Sequence, residues 1–221
     1  MTLADQILSF YKSLSLEIPL PHGVAVLNPY KENATFEICS KFYNHFYCDS
    51  DQRRIIFGIN PGRLGGGVTG VPFTDPIKLE SKCGIANTLQ KKTELSADFI
   101  YQMIDAFGGT QAFYRKFFIS AVCPLGFTRD GNNLNYYDDK TLEKAVEEFI
   151  VSSMLAQLSF PIDRDTCFCL GEGKNFSYFS RLNAKHHFFK KIIPLPHPRF
   201  IMQYQRKKIK DFIAIYIQTL K

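Results

Sequence analysis

Apolar positions recur along the chain in two alternating rhythms. Leu3, Ile7, Phe10 and Leu14 fall a helical turn apart behind Thr2, whose hydroxyl suits an N-cap, so the chain is expected to open with a helix. Residues 17–31 hold three prolines and a glycine and read as an irregular connection. Asn33 to Phe46 has helical spacing and leads into Arg54–Ile59, a short apolar run suited to a strand buried on both faces. Phe99, Ile100, Met103, Ile104 and Phe107 share one face of a helix that Ser96 would cap and Gly108-Gly109 would stop. Phe117–Val122 is a second strand, ended by Cys123-Pro124-Leu125-Gly126. Asp138 and Asp139 open a long helix with Leu142, Val146, Phe149, Ile150 and Leu158 on its buried face. Asp165–Leu170 is a third strand closed by Gly171, and Glu172–Asn183 a helix. Lys191–Leu195 is a fourth strand, and Met202–Leu220 a last helix with Ile209, Phe212, Ile213 and Tyr216 inward. Strands separated by helical segments predict an α/β protein: a parallel sheet with helices on both faces. With no internal repeat or composition break, one domain over 1–221 is expected.

The first strand ends in an unusual way. Asn60-Pro61-Gly62 stops it, and Gly65, Gly66 and Gly67 follow, so side chains vanish where a ligand would sit at the carboxyl edge of such a sheet. Gly65 to Gly70 satisfies G-x-G-x-x-G, but its first glycine lies beyond the strand-ending turn. Pro72 and Pro76 also argue against a helix opening at Gly70, and no strand ending in an acid follows about twenty residues on. A dinucleotide site is therefore rejected, and with it a small-molecule α/β enzyme needing such a cofactor.

Composition narrows the class further. With 45% hydrophobic residues and no apolar run of about 18, the chain reads as soluble, and its first residues lack the pattern of a signal peptide. Six cysteines without a C-x-x-C pair suggest reduced thiols of a cytoplasmic protein, with no metal site and no cofactor. A net charge of +6 favours a polyanionic partner, and Arg199, Arg206, Lys207, Lys208 and Lys210 gather directly after a proline-bounded loop. Asp51, Asp75, Asp138 and Asp139 have the spacing of caps and turns rather than of paired acid–base groups. His186 and His187 are expected to be exposed.

Gly58-x-Asn60-Pro61-Gly62, then Gly65, then Thr69-Gly70-Val71-Pro72-Phe73 hold fixed spacing over 16 residues. This stretch resembles the first motif of the uracil-DNA glycosylase superfamily, in its single-strand-selective monofunctional (SMUG-type) branch. Leu27-Asn28-Pro29-Tyr30 is similar to the Tyr-Asn-Pro segment ahead of that motif, and His197-Pro198 to the His-Pro of the second motif. Two departures stand out: the Ser-Pro that follows His-Pro is missing or replaced, the chain reading Arg199-Phe200 there, and Ala121 stands where the family's base-reading asparagine falls.

The resemblance implies an α/β/α sandwich with a central four-stranded parallel sheet in the order 2-1-3-4. It also implies excision of uracil or a related base from DNA by base flipping, by a monomer with no membrane contact. Asn60 and His197 are then the catalytic pair. Asn60 would orient a water, and His197 would donate to the departing base even when neutral. Gly62, Gly65, Phe73 and Ser120 are expected to hold the base; Arg63, Arg199, Phe200, Ile201, Lys207 and Lys208 are expected on the DNA. The alternative is a non-catalytic nucleic-acid binding module on the same fold.

Overall fold

The computed structural model describes residues 1–221. Seven strands form: β1 Val24–Leu27, β2 Arg54–Gly58, β3 Phe117–Ala121, β4 Gly126–Arg129, β5 Asn132–Leu134, β6 Thr166–Leu170 and β7 Lys191–Leu195. The helices are α1 Leu3–Ser13, α2 Asn33–Phe46, α3 Gly66–Thr69, α4 Pro76–Ser81, α5 Leu95–Phe107 and α6 Thr110–Tyr114. They continue with α7 Lys140–Ala145, α8 Glu147–Gln157, α9 Lys174–His186, α10 Pro198–Tyr204 and α11 Ile209–Leu220.

The central sheet runs β3-β2-β6-β7, all parallel, which is the expected α/β architecture and strand order. Its strands are apolar on both faces because helices cover both. On one face Phe118 packs on Tyr47 after α2 and on Phe160 after α8, and Phe57 packs on Phe179 of α9. On the other, Phe117 meets Phe107 of α5 and Phe113 of α6, and Arg54 lays its guanidinium 4.7 Å from the Phe117 ring. Pairing of Gly58 with Ala121 and of Leu170 with Leu195 brings the strand ends to one level, so the loops after β2, β3, β6 and β7 share an edge.

Several expectations are corrected. Residues 17–31 are not wholly irregular, since β1 pairs antiparallel with β4, and β4 with β5, in a second, three-stranded sheet. Asp130 (φ 51°) and Gly131 (φ 71°) make the two-residue turn between β4 and β5, the left-handed pair that suits strand twist. Helix α5 starts at Leu95 with Glu94 as N-cap, so Ser96 lies buried in its first turn and caps nothing. The helix opened by Asp139 is broken at Val146. The last helix is broken too: Pro198 occupies the first turn of α10, and a 3-10 turn at Arg206–Lys208 separates α10 from α11. His187 is exposed, but His186 is half-buried and stacked on Phe188 at a 5.2 Å centroid distance.

Candidate active site

The shared sheet edge frames a cavity of about 520 Å³, within the range of small-molecule sites. Asn60, Gly62, Phe73, His197, Arg199 and Phe200 all border it. Residues that the sequence places on three separate loops are therefore brought together.

Asn60 follows β2, and its side chain is held by the end of the β4–β5 hairpin. Tyr136 N–H donates to Asn60 Oδ1 (3.2 Å), while Asn60 Nδ2 donates to the Leu134 carbonyl (3.3 Å). A backbone donor on one side and a backbone acceptor on the other fix which amide atom points where. The hairpin is anchored in turn, because Tyr136 Oη donates to Asn175 Oδ1 at 2.7 Å and the Asn175 amide donates to the Leu170 carbonyl at the end of β6.

His197 caps α10. Its Nδ1 accepts the Arg199 N–H at 3.1 Å, so in the neutral ring the proton resides on Nε2. Burial pushes its pKa down to about 4, and the neighbouring Arg199 charge adds to the shift. The ring is thus a neutral Nε2–H donor across the physiological range. The hydroxyl of Tyr216 on α11 donates to the Pro196 carbonyl, steadying the backbone that carries it.

Phe73 lies 6.0 Å from the His197 ring, centroid to centroid, at an interplanar angle of 53°. Its φ of 53° is costly for a phenylalanine, the kind of strain that surroundings must enforce. Gly58 explains how the ring fits, since a Cβ there would stand 2.7 Å from Phe73 Cε2. Gly62 packs beside Asn133, whose Oδ1 accepts the Arg63 N–H at 3.0 Å. Gly65 abuts the Glu94 carboxyl, which an added Cβ would strike.

Two expected site residues face elsewhere. Ser120 is buried and its hydroxyl donates to Gln157 Oε1 of α8, because strand alternation turns it to the face that α8 covers. Ile201 is fully buried, since α10 begins at Pro198 and helical spacing turns Ile201 and Met202 inward. The same spacing turns Phe200 (46% exposed) and Tyr204 (66% exposed) outward as an adjoining aromatic pair on the cavity rim, ring centroids 5.7 Å apart. Arg63, Arg199, Lys207 and Lys208 are exposed.

Sequence reasoning missed Tyr204, Asn133, Tyr136 and Glu94. The first was findable, as Phe200 and Tyr204 are four apart behind a proline that starts a helix. The others reach the site through contacts between distant segments, which leave no local pattern. Burial raises the thiols of Cys39, Cys83, Cys123 and Cys169 to about 12, so they are packing groups rather than nucleophiles. No group of three or more His, Cys, Asp or Glu side chains is placed to hold a metal ion, and no helix is long and apolar enough to cross a membrane.

The family model of the uracil DNA glycosylase superfamily matches residues 45–221. Among solved structures, the crystal structure of wild-type Pedobacter heparinus SMUG2 matches with a TM-score of 0.96 and 48% sequence identity, covering 99% of this chain and 97% of that one. No curated protein matches. Fold, edge-clustered loops and these matches agree: the chain belongs to the uracil DNA glycosylase superfamily, in its SMUG-type branch.

Proposed function

We propose that residues 1–221 act as one glycosylase domain that extrudes uracil or a closely related base from DNA and hydrolyses its N-glycosidic bond. The observation that carries this reading is the His197 ring, held neutral with its Nε2 proton free at a cavity that Asn60 and Phe73 also border. The C1′–N1 bond breaks with its electron pair going to the base, leaving an oxocarbenium-like sugar. Negative charge grows on the base O2, where a neutral donor stabilises it without giving up its proton. Asn60 Oδ1, oriented by Tyr136 N–H, has a second lone pair for a water. That water adds to C1′ and releases its proton to solvent. An amide suffices for this role, because so reactive a cation needs an aligned water rather than an activated one. Phe73 stacks on the extruded base.

The DNA side of the reading rests on exposure and charge. Phe200 and Tyr204, exposed on the cavity rim, suit a wedge that fills the gap left in the strand, and Arg63, Arg199, Lys207 and Lys208 suit phosphates. The test is incubation with uracil-containing single-stranded and duplex DNA, followed by alkaline cleavage at abasic sites. Strand breaks at the uracil position are expected. Tight DNA binding without any breaks would instead identify a binding module on the same fold.

A further inference from the structure

Next to the main cavity, and sharing Asn60, Phe73 and Glu94 with it, a recess of about 40 Å³ lies at the ends of β2 and β3, bordered also by Gly58, Ser120 and Ala121. Its polar side chains belong to Asn60 and Glu94, since Ser120 turns its hydroxyl away toward α8. Asn60 is held at both ends by the hairpin, and Ser120 donates to Gln157. Ala121 offers a methyl group. Glu94 is different: its backbone N–H donates to Asp75 Oδ2, but its carboxyl forms no hydrogen bond of good geometry with the protein. The same carboxyl borders the main cavity and rests against Gly65, where a side chain would displace it. A half-buried carboxyl at a cavity, with only the Ser96 hydroxyl beside it as a hydrogen-bonding neighbour, keeps capacity for a ligand.

Resting on the glycosylase reading, we propose that Glu94 is the base-reading residue, its carboxyl pairing with the lactam edge of the extruded base. One oxygen accepts N3–H of uracil, and the other, as a hydroxyl, donates to O4. This places one donor and one acceptor side by side, the complement of a base with adjacent N–H and C=O groups.

The protonation state needed is the one the surroundings favour. Burial lifts the Glu94 pKa to about 7, the Asp75 and Asp98 charges push it the same way, and the Ser96 hydroxyl and Arg199 oppose less strongly. Arg63 lines the adjoining groove and His197 the main cavity, but His197, near 4, does not titrate in the same window. Above pH 7 the carboxylate loses its donor and repels O4.

The experiment is single-turnover excision of uracil from single-stranded DNA between pH 6 and 8.5, for wild type, Glu94→Gln and Glu94→Leu. Wild-type rate should fall as pH rises through about 7. Glu94→Gln keeps one donor and one acceptor, so its rate should stay within a few-fold of wild type at pH 6 and be flat with pH. Glu94→Leu should lose on the order of 10–100-fold at pH 6, the usual penalty for leaving polar groups unpaired. A Leu variant within a few-fold of wild type would overturn the proposal, as would an alkaline fall that persists in Glu94→Gln. The Gln profile decides the matter alone if melting curves show the Leu variant unfolded. A wild-type chain that releases no uracil removes the glycosylase reading itself and this proposal with it, whereas an active wild type beside an equally active Leu variant removes only the role of Glu94.

Discussion

His197→Ala removes two things at once, and the structure separates them. The first is the cap on α10: loss of the Nδ1 acceptor for Arg199 N–H should cost about 0.5–2 kcal/mol. For a chain of this size that lowers the melting temperature by about 1–8 °C. The cost depends on pH. The folded-state pKa, about 4, lies below the ordinary histidine value of about 6.5, so between these values the unfolded chain binds the proton that the folded one does not. Wild-type stability from this group is complete above about 6.5 and drains away as pH falls toward 4. The melting-temperature gap between wild type and His197→Ala should therefore narrow from pH 7.5 to pH 4.5. The second loss is the Nε2–H donor, worth on the order of 10²–10³ in single-turnover excision. That factor should shrink for 5-fluorouracil, whose anion leaves with less help, whereas a purely structural defect slows every base alike. Since the cap alone lowers stability, a reduced melting temperature says nothing about catalysis. Equal rate losses on uracil and 5-fluorouracil would refute the donor role, and a gap that stays constant with pH would refute the depressed pKa.

Asn60→Ala should slow single-turnover excision by about 10²–10⁴-fold with little change in DNA affinity, because it removes water alignment rather than binding; a rate within a few-fold of wild type would take Asn60 out of the mechanism. Replacing Lys207 and Lys208 together with alanine should weaken uracil-containing and normal DNA about equally and reduce the slope of log affinity against log salt by about 0.7–0.9 for each phosphate left without its lysine. An unchanged slope would leave these lysines as a solvated turn. Gly58→Val should drive the Phe73 ring from its seat and slow uracil excision, and a crystal structure of the variant with the ring unmoved would contradict the packing account.

The central sheet was legible because buried parallel strands are continuous apolar runs and the helices between them are amphipathic. Arg54–Ile59 and Lys191–Leu195 were bounded to within a residue. The second sheet was not read, although Asp130-Gly131 is a strong local signal for a tight hairpin. Its strands are only three or four residues long and Asn132 and Asn133 are exposed, so no alternation marks them. The break between α10 and α11 was missed because apolar spacing runs on through a segment that Pro198 and the Arg206–Lys208 turn interrupt. At the site, Asn60, Phe73 and His197 could be named because a motif and two prolines mark them. Glu94 could not, since what sets it apart is the company of Gly65, Asp75 and Arg199 rather than anything in its own neighbourhood.

The grip of Tyr136 and Leu134 on Asn60 means that the amide is aimed by a segment more than seventy residues downstream of it. An exposed two-residue turn is ordinarily the place where a chain accepts an inserted residue without complaint. At Asp130-Gly131 the strand leading out of the turn carries the handhold, and a one-residue slip in β5 would exchange its inward and outward faces and shift it by about 3.3 Å. The surface ribbon is thus a lever on the reaction centre, and protein engineers looking for a permissive insertion point on this scaffold should look elsewhere.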